Sequence, residues 1–188
     1  LARGGVARLY LFEGEEEYVK QAAYQRLLAA AVPGDMRDMN CTVLENPAPD
    51  ALIAACETLP FLSERRMITV RECDLLSSAS RRKEDADAAD RLCAYIARVP
   101  DTTCLVFYVR GKADARKKLT QALRKQAVVV DSPKLTDGEC AQWATRAAKA
   151  AGKRFDPPDA AQMFVFTVGR DAAALAQEME KLIGYTGE

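Results

Sequence analysis

At 188 residues the chain is long enough for one ordinary hydrophobic core, or for a core plus a small satellite domain. Lys plus Arg balance Asp plus Glu at 27 each, so contact with nucleic acid would have to come from a local patch, and the absence of histidine excludes Ser/His and Cys/His dyads and imidazole zinc sites. The six cysteines are scattered without a CxxC pair, and no apolar run approaches the roughly 20 residues that cross a bilayer, so the expectation is a cytoplasmic protein without disulfides, metal or membrane contact.

The first element is a strand at 8–12, "RLYLF", followed by a helix over about 15–31 in which Val19, Ala22, Ala23, Leu27 and Ala30 recur at helical spacing. "VPG" stops it. "CTVLE" at 41–45 reads as a second strand, and a helix capped by Asp50 runs from there to about Thr58. "RMITVR" at 66–71 is a third strand. Leu92, Tyr95, Ile96 and Val99 then mark a helix face that Pro100 ends. The continuously apolar strand at 103–109 is expected to be buried on both faces. A basic helix over about 114–125 leads to a last strand at 127–130. Five short strands separated by helices predict a parallel α/β sheet.

The pattern changes near Pro133 and Lys134. "TDGE" at 136–139 is a capping box opening an alanine-rich helix, Asp156 with Pro157 predicts a helix start, and Gly169 with Asp171 stops one helix and caps the next. The expected division is 1–133 as an α/β domain and 134–188 as a three-helix domain.

Between the first strand and the first helix lies "GEEEYVKQ". A phosphate-binding loop has glycine just before its lysine, so that backbone N–H groups wrap the phosphates, and Ser or Thr just after it to hold magnesium. Gly14 and Lys20 keep the spacing, but Val19 and Gln21 stand in those two places, and Glu15, Glu16 and Glu17 would set like charge against a triphosphate. The plainer reading makes Gly14 a strand-to-helix turn and the glutamates favourable charges at a helix N-terminus. The strand expected to carry a magnesium-binding acid, "MITVRECD", has Arg71 in the first acidic place with Glu72 beside it, and a cation there repels the ion it should hold.

These segments, together with "ETLPFLSERRMITVRECDLL", "PDTTCLVFYVRGKADARKKL" and the helical C-terminal third, resemble in order and spacing the delta subunit of the bacterial DNA polymerase III clamp loader. The resemblance implies an AAA+-like P-loop fold with a five-stranded parallel sheet and a degenerate nucleotide site, followed by a three-helix lid. It also implies a fragment from which the C-terminal collar domain of full-length members is missing. It implies no cofactor and no catalytic site of its own. The implied partners are the beta sliding clamp, whose ring interface the subunit opens or holds open, the ATP-hydrolysing gamma/tau subunits and delta-prime, and primed DNA in the assembled complex.

The resemblance places clamp binding in "LPFLSERR". Phe61 matches the aromatic position of the family's apolar pair, Pro60 stands where leucine is usual, and Leu59 and Leu62 flank the tip. Leu59 to Leu62 form an apolar run between a helix end and a charged strand start. Exposed together they would mark a partner surface; the pattern alone equally allows Phe61 to fold into the core. The basic stretches 80–83 and 110–118 read either as solvated helix faces or as contacts to DNA phosphates. The competing functional readings are a P-loop ATPase with atypical motifs and a DNA-binding module.

Overall fold

Alternate side chains of a strand point to opposite faces, and the first strand, β1 (Leu9–Glu13), uses both. Leu9 and Leu11 enter one apolar cluster, whereas Tyr10 and Phe12 enter another. A strand buried on both sides needs cover on both sides, and helices supply it. The computed structural model describes residues 5–78 and 83–187, with the backbone alone for 83–85. Within these, two compact units divide the chain, Leu1–Ser132 and Pro133–Glu188.

In the first unit β1, β2 (Cys41–Glu45), β3 (Arg66–Arg71), β4 (Thr103–Tyr108) and β5 (Val128–Asp131) form a parallel sheet in the order β2-β3-β4-β1-β5. The helices are α1 (Glu17–Ala31), α2 (Arg37–Asn40), α3 (Pro49–Glu57), α4 (Lys83–Ile96) and α5 (Lys118–Gln126). Leu52 and Cys56 of α3, Leu92 and Tyr95 of α4, and Leu119 and Leu123 of α5 pack with Leu11, Ile68 and Phe107 on one face. Tyr24 and Leu27 of α1 pack with Phe12, Met67 and Val106 on the other. This is the three-layer arrangement a parallel sheet requires. Every residue of the central strand β4 is buried, as its unbroken apolar run predicts.

Strand register decides which side chains share an edge of the sheet. The pairs Arg71↔Tyr108 and Phe12↔Tyr108 put Arg71, Tyr108 and Phe12 in one row at the carboxyl ends of the strands. Arg66↔Thr103 lies at the amino ends, about 16 Å away along β3.

Three expected helix starts are displaced, each for a local reason. Helix α3 begins at Pro49 with Ala48 as its N-cap; proline suits the first position because its missing N–H would have no partner there. Asp50 therefore caps nothing and pairs with Arg91 instead. Helix α5 begins only at Lys118, because the Asp114 carboxylate accepts the Arg116 N–H at 3.0 Å and turns the chain before the helix can start. In the second unit, the helix expected at Pro157 starts at Ala160, since Pro158 bars the residue before it from helical dihedrals.

The second unit comprises α6 (Asp137–Ala150), α7 (Ala160–Val168) and α8 (Ala172–Tyr185) around Cys140, Ala144, Val165, Leu175 and Met179. The Thr136 capping box forms as read from sequence: the Glu139 N–H donates to Thr136 Oγ1 at 3.3 Å and the Thr136 N–H to Glu139 Oε2 at 2.8 Å. Asp171 caps α8 by accepting the Ala174 N–H at 2.7 Å. The cysteines are all free, and burial pushes the Cys56 and Cys104 thiols up to about 12, leaving them inert. Among the described residues no helix is long and apolar enough to cross a membrane.

Candidate functional site

Two regions hold the residues singled out by sequence, and the parallel sheet sends them to opposite ends. All strand-to-helix turns of a parallel sheet leave from its carboxyl edge, and all helix-to-strand turns return at its amino edge. Gly14, Val19, Lys20, Gln21, Arg71 and Glu72 belong to the first set, and Leu59, Pro60, Phe61 and Leu62 to the second.

At the carboxyl edge Gly14 adopts φ +115, and a side chain there would meet the Ser132 backbone at 2.3 Å. Its N–H donates to Gly111 O at 2.7 Å and the Glu16 N–H to Ser132 O at 2.9 Å, so this turn is laced to the ends of its neighbours. Helix α1 then carries Lys20 inward to complete burial. Its ammonium donates to Gly14 O at 2.9 Å and Val109 O at 2.8 Å, and lies 2.8 Å from Glu17 Oε2. An ammonium has three donors, and these acceptors take all of them.

Neighbouring groups close the arrangement. The Tyr108 hydroxyl donates to Glu17 Oε1 at 2.5 Å and lies 3.3 Å from Gln21 Oε1, while Lys20 sits 5.1 Å above the Tyr108 ring. Arg71 lies 5.1 Å from the same ring and 6.0 Å from that of Tyr24. Burial alone would raise the Glu17 carboxyl, but the hydrogen bonds from Lys20 and Tyr108 and the nearby Arg71 hold it below the ordinary glutamate range. Burial and the bond to Glu17 push the Tyr108 hydroxyl up. The third donor of the lysine is thus met by the chain's own carboxylate. Glu72, in a left-handed conformation at φ 52, comes within 3.9 Å of Arg110. Val19 is half-buried. Glu17 and Tyr108 complete the cage; in the sequence Glu17 stood out as charge opposed to a triphosphate or favourable to a helix N-terminus, not as the partner of Lys20, and a strand tyrosine looks like core.

At the amino edge α3 ends at Glu57 and the chain turns back into β3. Leu59 is 76% exposed, Phe61 53% and Leu62 77%, with Pro60 half-buried beneath them. Phe61 is therefore a surface residue and not core. The base of the turn is fixed: Thr103 Oγ1 donates to Cys56 O at 2.7 Å, and the buried Arg66 guanidinium donates to Thr58 O at 3.2 Å. The tip is fixed as well. Asn40, fully buried at the end of α2, accepts the Phe61 N–H at 2.7 Å and donates to Phe61 O at 2.8 Å. Leu62, next in sequence, takes φ 47, a left-handed conformation that a leucine seldom adopts. Neither Asn40 nor the conformation of Leu62 was accessible from sequence, because the contact spans 21 residues. Exposed apolar residues also occur on the second unit at Met163, Phe166 and Tyr185. Those lie on regular helix, and among the described residues no buried polar side chain grips their backbone.

The basic stretch 110–118 is largely neutralised. Lys112 pairs with Asp131 at 3.4 Å, Arg116 with Asp114 at 2.8 Å and Lys118 with Asp90 at 2.6 Å. The stretch 80–83 lies outside the described residues, apart from the backbone of Lys83.

The five-stranded parallel sheet, with its first strand running through a glycine turn into a lysine-bearing helix, is an AAA+-like P-loop fold, in this case with the lysine turned inward. The chain belongs to the DNA polymerase III, delta subunit family, whose profile matches residues 10–132. It is 30% identical over 191 residues to DNA polymerase III subunit delta of Bacillus subtilis, a match covering 100% of this chain and 55% of that one. The solved structure of the Bacillus subtilis DNA clamp loader delta protein is similar at a TM-score of 0.76 and 29% identity, over 97% of this chain and 55% of that chain. A DNA polymerase III gamma subunit-related protein from Thermotoga maritima shares the fold at a TM-score of 0.50 and 11% identity, over 85% of this chain and 54% of its own. The chain spans about half the length of the relatives it matches.

The cage around Lys20 has measurable consequences. Lys20→Met leaves Gly14 O and Val109 O without donors, and is expected to lower unfolding stability by about 3 kcal/mol in urea titrations. A lysine that faced an empty phosphate site would show almost no such loss. The lowered Glu17 carboxyl means that the folded state favours the ionised form. The stability this confers is present above the ordinary value of 4.5 and is lost as pH falls through the lower folded value. Urea midpoints of the wild type and Glu17→Gln should accordingly converge as pH falls from about 5 to about 3.

Proposed function

We propose that this chain is the clamp-gripping part of a clamp-loader delta subunit. It docks on the beta sliding clamp through the apolar tip formed by Leu59, Pro60, Phe61 and Leu62. In the assembled loader this contact opens the ring interface, or holds it open, for placement on primed DNA, while gamma/tau and delta-prime subunits accompany it and ATP hydrolysis occurs elsewhere. The observation that carries the reading is the set of three large apolar side chains held exposed on a turn whose base and tip are both hydrogen-bonded to buried polar groups. Surface apolar residues on a fixed support meet a pocket at little entropic cost, which is how an aromatic anchor becomes a binding hot spot. Membership of the delta subunit family supports the same reading.

The inward Lys20 supports a second part of the proposal, that this module neither binds nor hydrolyses ATP. Binding triphosphate would require the ammonium to leave three satisfied acceptors, and it would bring phosphate against Glu17.

Phe61→Ala is expected to weaken binding to the cognate sliding clamp by about 30-fold, corresponding to about 2 kcal/mol, with a thermal midpoint close to wild type. Unchanged affinity in a titration of the two variants would remove the tip from the interface. Calorimetric titration with ATP and magnesium should give no heat of binding, and micromolar affinity would overturn the assignment of Lys20 to a structural role.

A further inference from the structure

One buried amide, that of Asn40, is hydrogen-bonded to the backbone of the exposed tip. We infer that Asn40 is the positioning residue of the interface: it touches no partner but holds Phe61 in the conformation that presents its ring. This inference rests on the proposed docking role of the tip.

Three observations converge on it. Asn40 is completely buried, and it spends its side chain on the tip and on its own helix turn. Oδ1 accepts the Phe61 N–H at 2.7 Å, while Nδ2 donates to Phe61 O at 2.8 Å and to Met36 O at 3.0 Å. Gripping both backbone groups of one residue fixes its orientation, as pairing along a strand does, yet here the residue belongs to an irregular turn. The amide has only one workable orientation, because a flip would set N–H against N–H and oxygen against two carbonyls.

The second observation is the left-handed Leu62 directly after the gripped residue. Such a conformation persists in a leucine only when its surroundings over-determine it. With Leu62 exposed, its own side chain supplies little of that constraint, and the Asn40 bonds lie one residue away. The third is that the bonds to Cys56 O and Thr58 O hold only the base of the turn, so Asn40 is the described side chain bonded to the backbone of the tip itself. Without it the turn would be free to sample conformers in which Phe61 is misdirected, and apparent affinity falls in proportion to the fraction of molecules in the presenting state.

The test is a double-mutant cycle on the chain, read by affinity for the cognate sliding clamp and by exchange of the Phe61 amide proton. Asn40→Ala is expected to weaken clamp binding about tenfold and to speed Phe61 amide exchange by a similar factor, while Phe61→Ala weakens binding about 30-fold. Combining the two should cost clearly less than the sum of the single losses, since with the Phe61 ring gone Asn40 has only the flanking Leu59 and Leu62 left to position. Should Asn40→Ala fail to fold, Asn40→Asp carries the test. It keeps an acceptor for the Phe61 N–H, leaves at most one O–H to meet the two carbonyls, and should bind the clamp more weakly than wild type but show a less than additive loss with Phe61→Ala. Wild-type affinity in the Asn40 variants, with Phe61→Ala still weak, would overturn the positioning role and leave the tip intact. Additive losses would overturn it too, by showing that Asn40 acts through some other part of the molecule. If Phe61→Ala itself binds as wild type does, the docking tip fails and the inference falls with it.

Discussion

A buried ammonium must find an acceptor for each of its three protons, because the cost of leaving a charge unpaired away from water exceeds what a small domain's stability can offset. Lys20 meets this demand with the carbonyl at the end of β1, the carbonyl just beyond β4 and the carboxylate of Glu17. These three acceptors come from two adjacent strands and from the helix that covers them. One side chain therefore ties α1 to the turn after β1 and to the end of β4, beside the backbone bonds of Gly14 and Glu16. Electrostatics that in a phosphate-binding loop would remain open for a ligand are closed here within the chain.

The cage around Lys20 lies at the carboxyl edge and the exposed apolar tip at the amino edge, and the parallel sheet is the reason they are separate. Turns entering strands and turns leaving them occupy opposite edges, so the tip between α3 and β3 can change without disturbing the cage around Lys20. The two places use a common device. In each, a fully buried polar side chain, Lys20 or Asn40, binds main-chain carbonyls of a segment far away in sequence. Backbone atoms are the target in both cases, which leaves the side chains of the held segment free to vary. At the tip that freedom leaves Leu59, Phe61 and Leu62 facing solvent.

Much of the scaffold was legible in the sequence. The alternation of strands and helices, the doubly buried β4, the Thr136 capping box and the Asp171 cap all follow from periodicity and from side chains acting on backbone a few residues away. The displaced starts of α3, α5 and α7 show the limit of such reasoning even locally. In each a proline, or an aspartate bonding to its own neighbours, outweighed the general pattern. Phe61 was legible as an apolar tip, but whether it faced outward was not. Its direction is decided by Asn40, a residue whose type suggests only a helix end.

By itself, then, the sequence determined the alternating α/β order, the helical last third, and the loss of the glycine and hydroxyl that a phosphate loop needs at Val19 and Gln21. These are local properties: a hydrophobic period, a cap or a missing atom at a required spacing is present whatever the rest of the chain does. Only the tertiary structure decided that Lys20 turns inward, that Glu17 and Tyr108 complete its surroundings, and that Asn40 holds Phe61 with Leu62 in a left-handed conformation. Each of these depends on a buried polar group meeting its partner. Where the partner lies 21 residues away, as for Asn40, or 89, as for Lys20, no sequence period can record it.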